Sequence, residues 1–290
     1  MRRACIDIGS NTTRLLVADA GETALTPVHE ERAFTRIGVA LAGRDTIPDA
    51  KRAEVIDVVR AQLAVARGLG AREVHGVATA AIRRAGDGAR FAEELEARCG
   101  LALRILSDRE EAHLAFAGAA GMFQGSAPEP LGVLDVGGGS SEVVVGAAGG
   151  AIAWWTSLAV GSGVLAHHHF AHDPPSAAEL RAAGEEATAI VAGIAPPPMA
   201  AAVAVGGSAT TLGRLTGPRL DETSLRAALA LLVAGPSADV ARRHHIDPDR
   251  ARLLPAGLVI LEALRPRLGT ELTVGRGGIR EGVLLQAEMR

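Results

Sequence analysis

Asp7-Ile8-Gly9-Ser10-Asn11-Thr12 follows the apolar Ala4-Cys5-Ile6 and leads into Leu15-Leu16-Val17-Ala18. Further along, Asp135-Val136-Gly137-Gly138-Gly139-Ser140-Ser141 follows Leu131-Gly132-Val133-Leu134 and precedes Val143-Val144-Val145. Each stretch reads as a strand, a tight polar glycine turn and a second strand. The two aspartates lie about one domain length apart. Two similar domains, each opening with a hairpin, are the economical explanation. The expected boundaries are 1–124 and 125–290, with the last helix, about 280–290, packing back on the first domain.

Working outward, the chain alternates. Apolar spacing predicts helices over 50–68, 91–99 and 109–122, with short strands over 74–78 and 101–106 between them. Gln124 to Pro130 reads as a linker. Beyond the second hairpin, strands are expected over 151–158, 200–205 and 271–274. Helices are expected over 177–194 and through most of 224–268. The pattern is alternating α/β.

Composition narrows the function. The 290 residues are 48% hydrophobic and 22% charged, with a formal net charge of −3. Such a chain buries a large core and carries no overall basic field for nucleic acid. Lys51 is the one lysine, so an anion site must use arginine, backbone N–H groups or metal. Cys5 and Cys99 have no metal-ligand spacing, and Cys5 reads as a buried free thiol. No apolar run reaches membrane-spanning length and no signal peptide precedes Asp7, so a cytoplasmic protein is expected.

The two turns are the first candidates for chemistry. Glycine lets backbone N–H groups of Gly9 and of Gly137-Gly138-Gly139 converge on an anion. Ser10, Asn11, Thr12, Ser140 and Ser141 add side-chain donors. Asp7 and Asp135, at strand ends beside such turns, suit Mg²⁺. One such turn is an ordinary hairpin; two, each led by aspartate, point to phosphate. Lys51 is outside any P-loop context, and no dinucleotide fingerprint follows the first strand. Phosphate held by two hairpins points to the actin, Hsp70 and sugar-kinase architecture: two RNase H-like α/β domains with an interdomain active-site cleft.

Seven further-spaced motifs run in order along the chain. They are Asp7 to Thr12, Thr35-Arg36-Ile37-Gly38, Ala78 to Ala85, Ser107-Asp108-Arg109-Glu110-Glu111-Ala112, Asp135 to Glu142, Gly206-Gly207-Ser208-Ala209-Thr210-Thr211-Leu212 and Ile279-Arg280-Glu281-Gly282. Through them the sequence resembles the exopolyphosphatase and guanosine pentaphosphate phosphohydrolase (Ppx/GppA) family. The resemblance implies removal of terminal orthophosphate from polyphosphate or guanosine pentaphosphate with Mg²⁺, or Mn²⁺ in its place, by a homodimer. It implies Glu111 as general base, Arg83 as phosphoryl ligand, and Arg36, Gly207 and Ser208 among the substrate contacts. Glu142 would join Asp7 and Asp135 at the metal. No nucleic acid or membrane partner is expected.

Each assignment has a bland rival. Ser107 with Glu110 fits a capping box, which gives Glu110 a structural task. Glu111 shares a helix face with Leu114, Ala115 and Gly118, so it points inward, as a base or as half of an ion pair. Glu142 outside its motif would be an exposed strand charge. His167-His168-His169 with His172 lacks a clean metal spacing.

Two departures stand out. The family usually has glycine where Asp108 stands, and often has arginine near Val164. A chain without the family's extra C-terminal helical domains is expected to favour short substrates. Two other functions remain open: an ATP-dependent small-molecule kinase of the same superfamily, and a non-catalytic polyphosphate or guanosine tetraphosphate sensor.

Overall fold

A computed structural model describes residues 1–21, 25–123, 127–147 and 151–286. Three residues of the expected linker, 124–126, and the end of the expected last helix, 287–290, lie outside them. The chain divides into two compact units, Met1–Met122 with Gly277–Arg290, and Phe123–Arg276.

In the first unit β1 (Arg2–Ile8), β2 (Thr13–Ala20) and β3 (Leu25–Ala33) form an antiparallel meander. After α1 (Ile37–Ala40) and α2 (Asp49–Gly68) comes β4 (Glu73–Ala78). Then follow α3 (Ala80–Arg84), α4 (Gly88–Cys99), β5 (Leu103–Ile105) and α5 (Asp108–Gly121). The sheet order is β3-β2-β1-β4-β5, with β1, β4 and β5 parallel. The central β1 is buried on both faces, hence its apolar run. The edge strand β3 escapes a periodicity reading: it carries Pro27 and a charged, mostly exposed pattern, and a register shift opposite Pro27 breaks its ladder.

The second unit repeats the plan. It contains β6 (Leu131–Val136), β7 (Ser141–Gly146), β8 (Ile152–Leu158), α6 (Ser162–His169) and α7 (Ala177–Val191). It continues through β9 (Ala201–Val205), α8 (Gly206–Thr216), α9 (Glu222–Leu232), α10 (Ser237–His244), α11 (Pro248–Leu264) and β10 (Leu272–Val274). The order is β10-β9-β6-β7-β8, again antiparallel in the hairpin and parallel beyond it. Two mixed five-stranded sheets with helices make the actin-type α/β fold that the paired hairpins implied.

The last helix, α12 (Ile279–Gln286), belongs to the first unit and packs along α5. Small residues permit this. A Cβ at Gly118 would lie 1.9 Å from the Gly278 carbonyl oxygen, and one at Gly282 would lie 2.0 Å from that of Leu114. Backbone meets backbone at both points, so any side chain there forces the helices apart. No single helix among the described residues is long and apolar enough to cross a membrane.

Candidate active site

In the first unit, three adjacent parallel strands deliver the chemistry from their carboxyl ends, the edge where open α/β sheets bind ligands. Asp7 ends β1. Thr79 and α3, which ends in Arg83 and Arg84, follow β4. Ser107 and α5 follow β5. Backbone bonds lock these exits together: Thr79 N–H donates to Ile8 O at 3.2 Å and Leu106 N–H to Ala78 O at 2.8 Å.

Glu111 lies on the inward face of α5 and is 3% exposed. The start of that helix is fixed by a complete capping box. Ser107 Oγ accepts from Glu110 N–H, and the Glu110 carboxylate accepts from Ser107 N–H at 2.8 Å. The two adjacent glutamates therefore divide: Glu110 caps, and Glu111 turns in.

The Arg83 guanidinium joins three groups. Nη1 donates to Leu106 O at 2.6 Å and to Glu111 Oε2, and Nη2 donates to Asp108 Oδ1. Arg84, by contrast, is exposed. Desolvation pushes the Glu111 carboxyl up to about 7, against the opposing pull of Arg83 and with help from the nearby Asp7 and Asp108 charges.

Asp7 is 1% exposed. Its Oδ2 accepts from Arg14 Nη2 at 2.6 Å, and its Oδ1 is buried with no hydrogen-bond partner among the described residues. Arg14 faces Asp7 in the register of the hairpin. Counting strand positions back from the turn would have found it; motif reading did not.

The turn itself departs from the expected anion cradle. The Gly9 N–H donates to Thr12 O at 2.9 Å and closes the turn, so that donor is unavailable to a ligand. Ser10 and Asn11 turn their carbonyls to the next segment, accepting from Gly38 N–H at 2.7 Å and Arg36 N–H at 2.9 Å. These bonds seat Arg36, in the left-handed region at φ 47° and exposed, beside the turn. Ser10 Oγ is buried without a partner, and Thr12 is buried too. They and Asn11 are the donors that remain.

The second unit holds its own cluster. Asp135 and Glu142 are directly opposed in the β6–β7 register, so their side chains share a face, and they are 7% and 2% exposed. An exposed strand charge at Glu142 is thereby ruled out. Glu142 Oε1 accepts from Ser157 Oγ at 2.8 Å. Gly206, at φ 83°, opens α8 so close to Asp135 that a Cβ there would lie 2.5 Å from Oδ1.

In this turn Gly137 N–H donates to Ser140 O at 3.0 Å, so it too serves the turn. The Gly137 and Gly138 carbonyls accept the first N–H groups of α6, from Ser162 at 2.9 Å and Gly163 at 3.0 Å. Val164 N–H also donates to Gly138 O. Ser141, expected as a phosphate donor, is fully buried and its Oγ donates to Val160 O at 2.6 Å. That bond makes it a pin for the following segment. Gly139 and Ser140 form the tip, both buried.

Gly207 and Ser208 begin α8. Ser208 Oγ is buried without a partner. A Cβ at Gly207 would lie 2.3 Å from Arg250 Nη2. Arg250, on α11 and 7% exposed, went unnoticed in the sequence. Its signal was there: it shares a helix face with Leu254, Gly257 and Leu261.

The donor set fits Mg²⁺. Asp135 and Glu142 are hard oxygen donors on one face, and Mg²⁺ takes one or two carboxylates and completes its shell with water and phosphate. No group of three or more His, Cys, Asp or Glu side chains among the described residues could hold a metal without such help. The histidines are engaged in ordinary hydrogen bonds, His169 with Glu186 at 2.6 Å and His172 with Glu179 at 2.8 Å. Cys5 is buried, and desolvation pushes its thiol pKa up, so it is no nucleophile.

The model of the Ppx/GppA phosphatase family matches residues 16–290. Exopolyphosphatase 1 of Mycobacterium leprae is 29% identical over 139 residues, 48% of this chain and 41% of that protein. An uncharacterized protein of Streptomyces coelicolor is 33% identical over 138 residues, again 48% of this chain and 41% of the other. The matched stretch is thus less than half the length of either curated relative. A crystal structure of the Aquifex aeolicus Ppx/GppA family member superposes with a TM-score of 0.82 at 26% identity, covering 100% of this chain and 98% of that one.

Proposed function

Because the chain belongs to the Ppx/GppA phosphatase family, we propose that it is a phosphohydrolase releasing terminal orthophosphate from short inorganic polyphosphate, guanosine pentaphosphate or both, with Glu111 as the base. The observation that carries this reading is the Glu111 carboxyl, buried at the carboxyl edge of the sheet, held by Arg83 and raised to about 7. A base whose pKa lies near working pH combines availability with driving force.

Glu111 takes a proton from water as the new O–P bond forms and the anhydride P–O bond breaks; the shortened chain leaves as an anion. Arg83 offers its guanidinium to the charge on the transferring group. Ser10, Asn11 and Thr12, and Gly139 and Ser140, position phosphate oxygens, with Arg36, Gly207 and Ser208 as further contacts. Asp135 and Glu142, and Asp7 in its own unit, would hold Mg²⁺ or Mn²⁺, which neutralises phosphate charge when bound. Val164, where the family often has arginine, supplies no cation for a long polymer, which supports short chains. A homodimer and a cytoplasmic location are part of the same proposal.

The test is Glu111→Gln with Mg²⁺ and tripolyphosphate, long polyphosphate or guanosine pentaphosphate. Phosphate release is expected to fall about 10²- to 10⁴-fold. The wild-type rate should rise with pH to a plateau, with a midpoint near 7, since the carboxylate is the active form. A variant within a few-fold of wild type removes Glu111 as base. A second reading, a phosphate-chain sensor, draws on Asp108 already occupying Arg83. Tight tripolyphosphate binding with no release by the wild type would establish it.

A further inference from the structure

We propose that Asp108 is a specificity-determining residue that competes with the substrate phosphoryl group for Arg83, so that substrate binds by displacing it. This rests on the phosphohydrolase reading above and deepens it. The guanidinium has two unlike edges. Its inner edge is held by the Leu106 carbonyl and by Glu111, whose side chain is 4% exposed. The outer edge, at Nη2, meets Asp108, whose side chain is 54% exposed. The inner contacts orient Arg83; the outer one occupies the direction from which an anion would arrive.

A carboxylate is a fair imitation of phosphoryl oxygen. Each presents anionic oxygens, the carboxylate two in a plane and the tetrahedral phosphoryl group two or three, and a guanidinium can donate to either. The occupant differs in charge: one negative charge against the two or more of a terminal phosphate. A solvent-exposed ion pair is worth roughly 0–1 kcal/mol, so it yields to a multiply charged chain and resists a singly charged anion. The consequence is discrimination. Arg83 is closed to small monoanions and opens to phosphate chains. Asp108 also stands at the first position of α5, where its charge suits the helix start. It can therefore swing away from Arg83 without losing a reason to stay near.

The experiment compares Asp108→Asn, Asp108→Glu and wild type, with tripolyphosphate as substrate and inorganic phosphate as inhibitor. Asn keeps the helix start and removes the charge. We expect KM for tripolyphosphate and the inhibition constant of phosphate each to fall about fivefold, with kcat within twofold, and Asp108→Glu to behave as wild type. In an Arg83→Ala background the Asp108→Asn gain should vanish. An unchanged or higher KM, or a lower kcat, overturns the proposal and makes Asp108 a support for Arg83. Direct calorimetry of inorganic phosphate on Asp108→Asn and wild type repeats the test without turnover. If no anhydride is hydrolysed by any variant, the phosphohydrolase reading fails; the competition stands or falls on whether phosphate binds more tightly to Asp108→Asn.

Discussion

The two hairpins are built alike and differ at one cross-strand position. In each, the glycine after the aspartate donates back across the turn, Gly9 to Thr12 and Gly137 to Ser140. In each, turn carbonyls receive the start of the next helix, α1 or α6. The first hydroxyl of each second strand pins the segment before that helix. Thr13 Oγ1 meets Thr35 Oγ1 at 3.0 Å, and Ser141 Oγ meets Val160 O at 2.6 Å. Opposite the aspartate, however, the first hairpin has Arg14 and the second has Glu142. One aspartate is neutralised within the fold. The other faces a second carboxylate across the hairpin, and like charges so placed repel each other. Repeated architecture thus carries unlike cross-strand pairs: an ion pair in the first hairpin, and in the second the two carboxylates proposed above to hold Mg²⁺.

Removing each cross-strand partner should therefore move stability in opposite directions. Arg14→Ala leaves the Asp7 carboxylate, 1% exposed, without its guanidinium. Breaking a buried pair costs about 3–5 kcal/mol. Arg14 is partly exposed, which lets water reach the site, so a loss of about 2–3 kcal/mol is expected in urea unfolding. Asp7→Asn in the same chain should recover most of it. A loss below ~0.5 kcal/mol, the range of ordinary surface changes, would show that Asp7 is not balanced by Arg14 and would dissolve the contrast.

Glu142→Gln is the counterpart. Without divalent cation it relieves like charge, and stability should stay level or rise. Millimolar Mg²⁺ should stabilise the wild type by about 1–2 kcal/mol through binding to the native state alone, a shift of roughly 2–6 °C in melting temperature. The variant should lose most of that shift. An equal Mg²⁺ response in both proteins would remove Glu142 from the metal. Melting followed by calorimetry, with sodium chloride at matched ionic strength as the control, reads both outcomes.

The parts legible in the sequence were the local ones. Strand, glycine turn and strand are written within a dozen residues of Asp7 and of Asp135, and the Ser107–Glu110 capping box within four. Helix periodicity sent Glu111 inward, where it lies. The unread parts depend on distance. Arg14 meets Asp7 through register, Arg250 meets Gly207 from another helix, and Asp108 meets Arg83 across two strand exits. Helices α6 and α8 were missed because His167-His168-His169 and Gly206-Gly207 carry little helical preference; their first turns are fixed by the sheet edge they leave. Glycine motifs said where N–H groups gather and not which of them the turn keeps for itself.

Ser141→Ala tests that last point with the smallest effect. The Ser141 hydroxyl is fully buried and donates to Val160 O. Deleting it leaves a buried carbonyl short of a donor, a cost of about 1 kcal/mol in urea unfolding. If the hydroxyl serves the fold alone, KM for tripolyphosphate should stay within twofold. Ser10→Ala is the matched control, because Ser10 Oγ has no partner in the fold. Its removal should cost little stability and should weaken tripolyphosphate binding. A Ser141→Ala protein of undiminished stability and raised KM would reverse the assignment. It would put Ser141 back among the phosphate donors and make the two turns alike in function as well as in form.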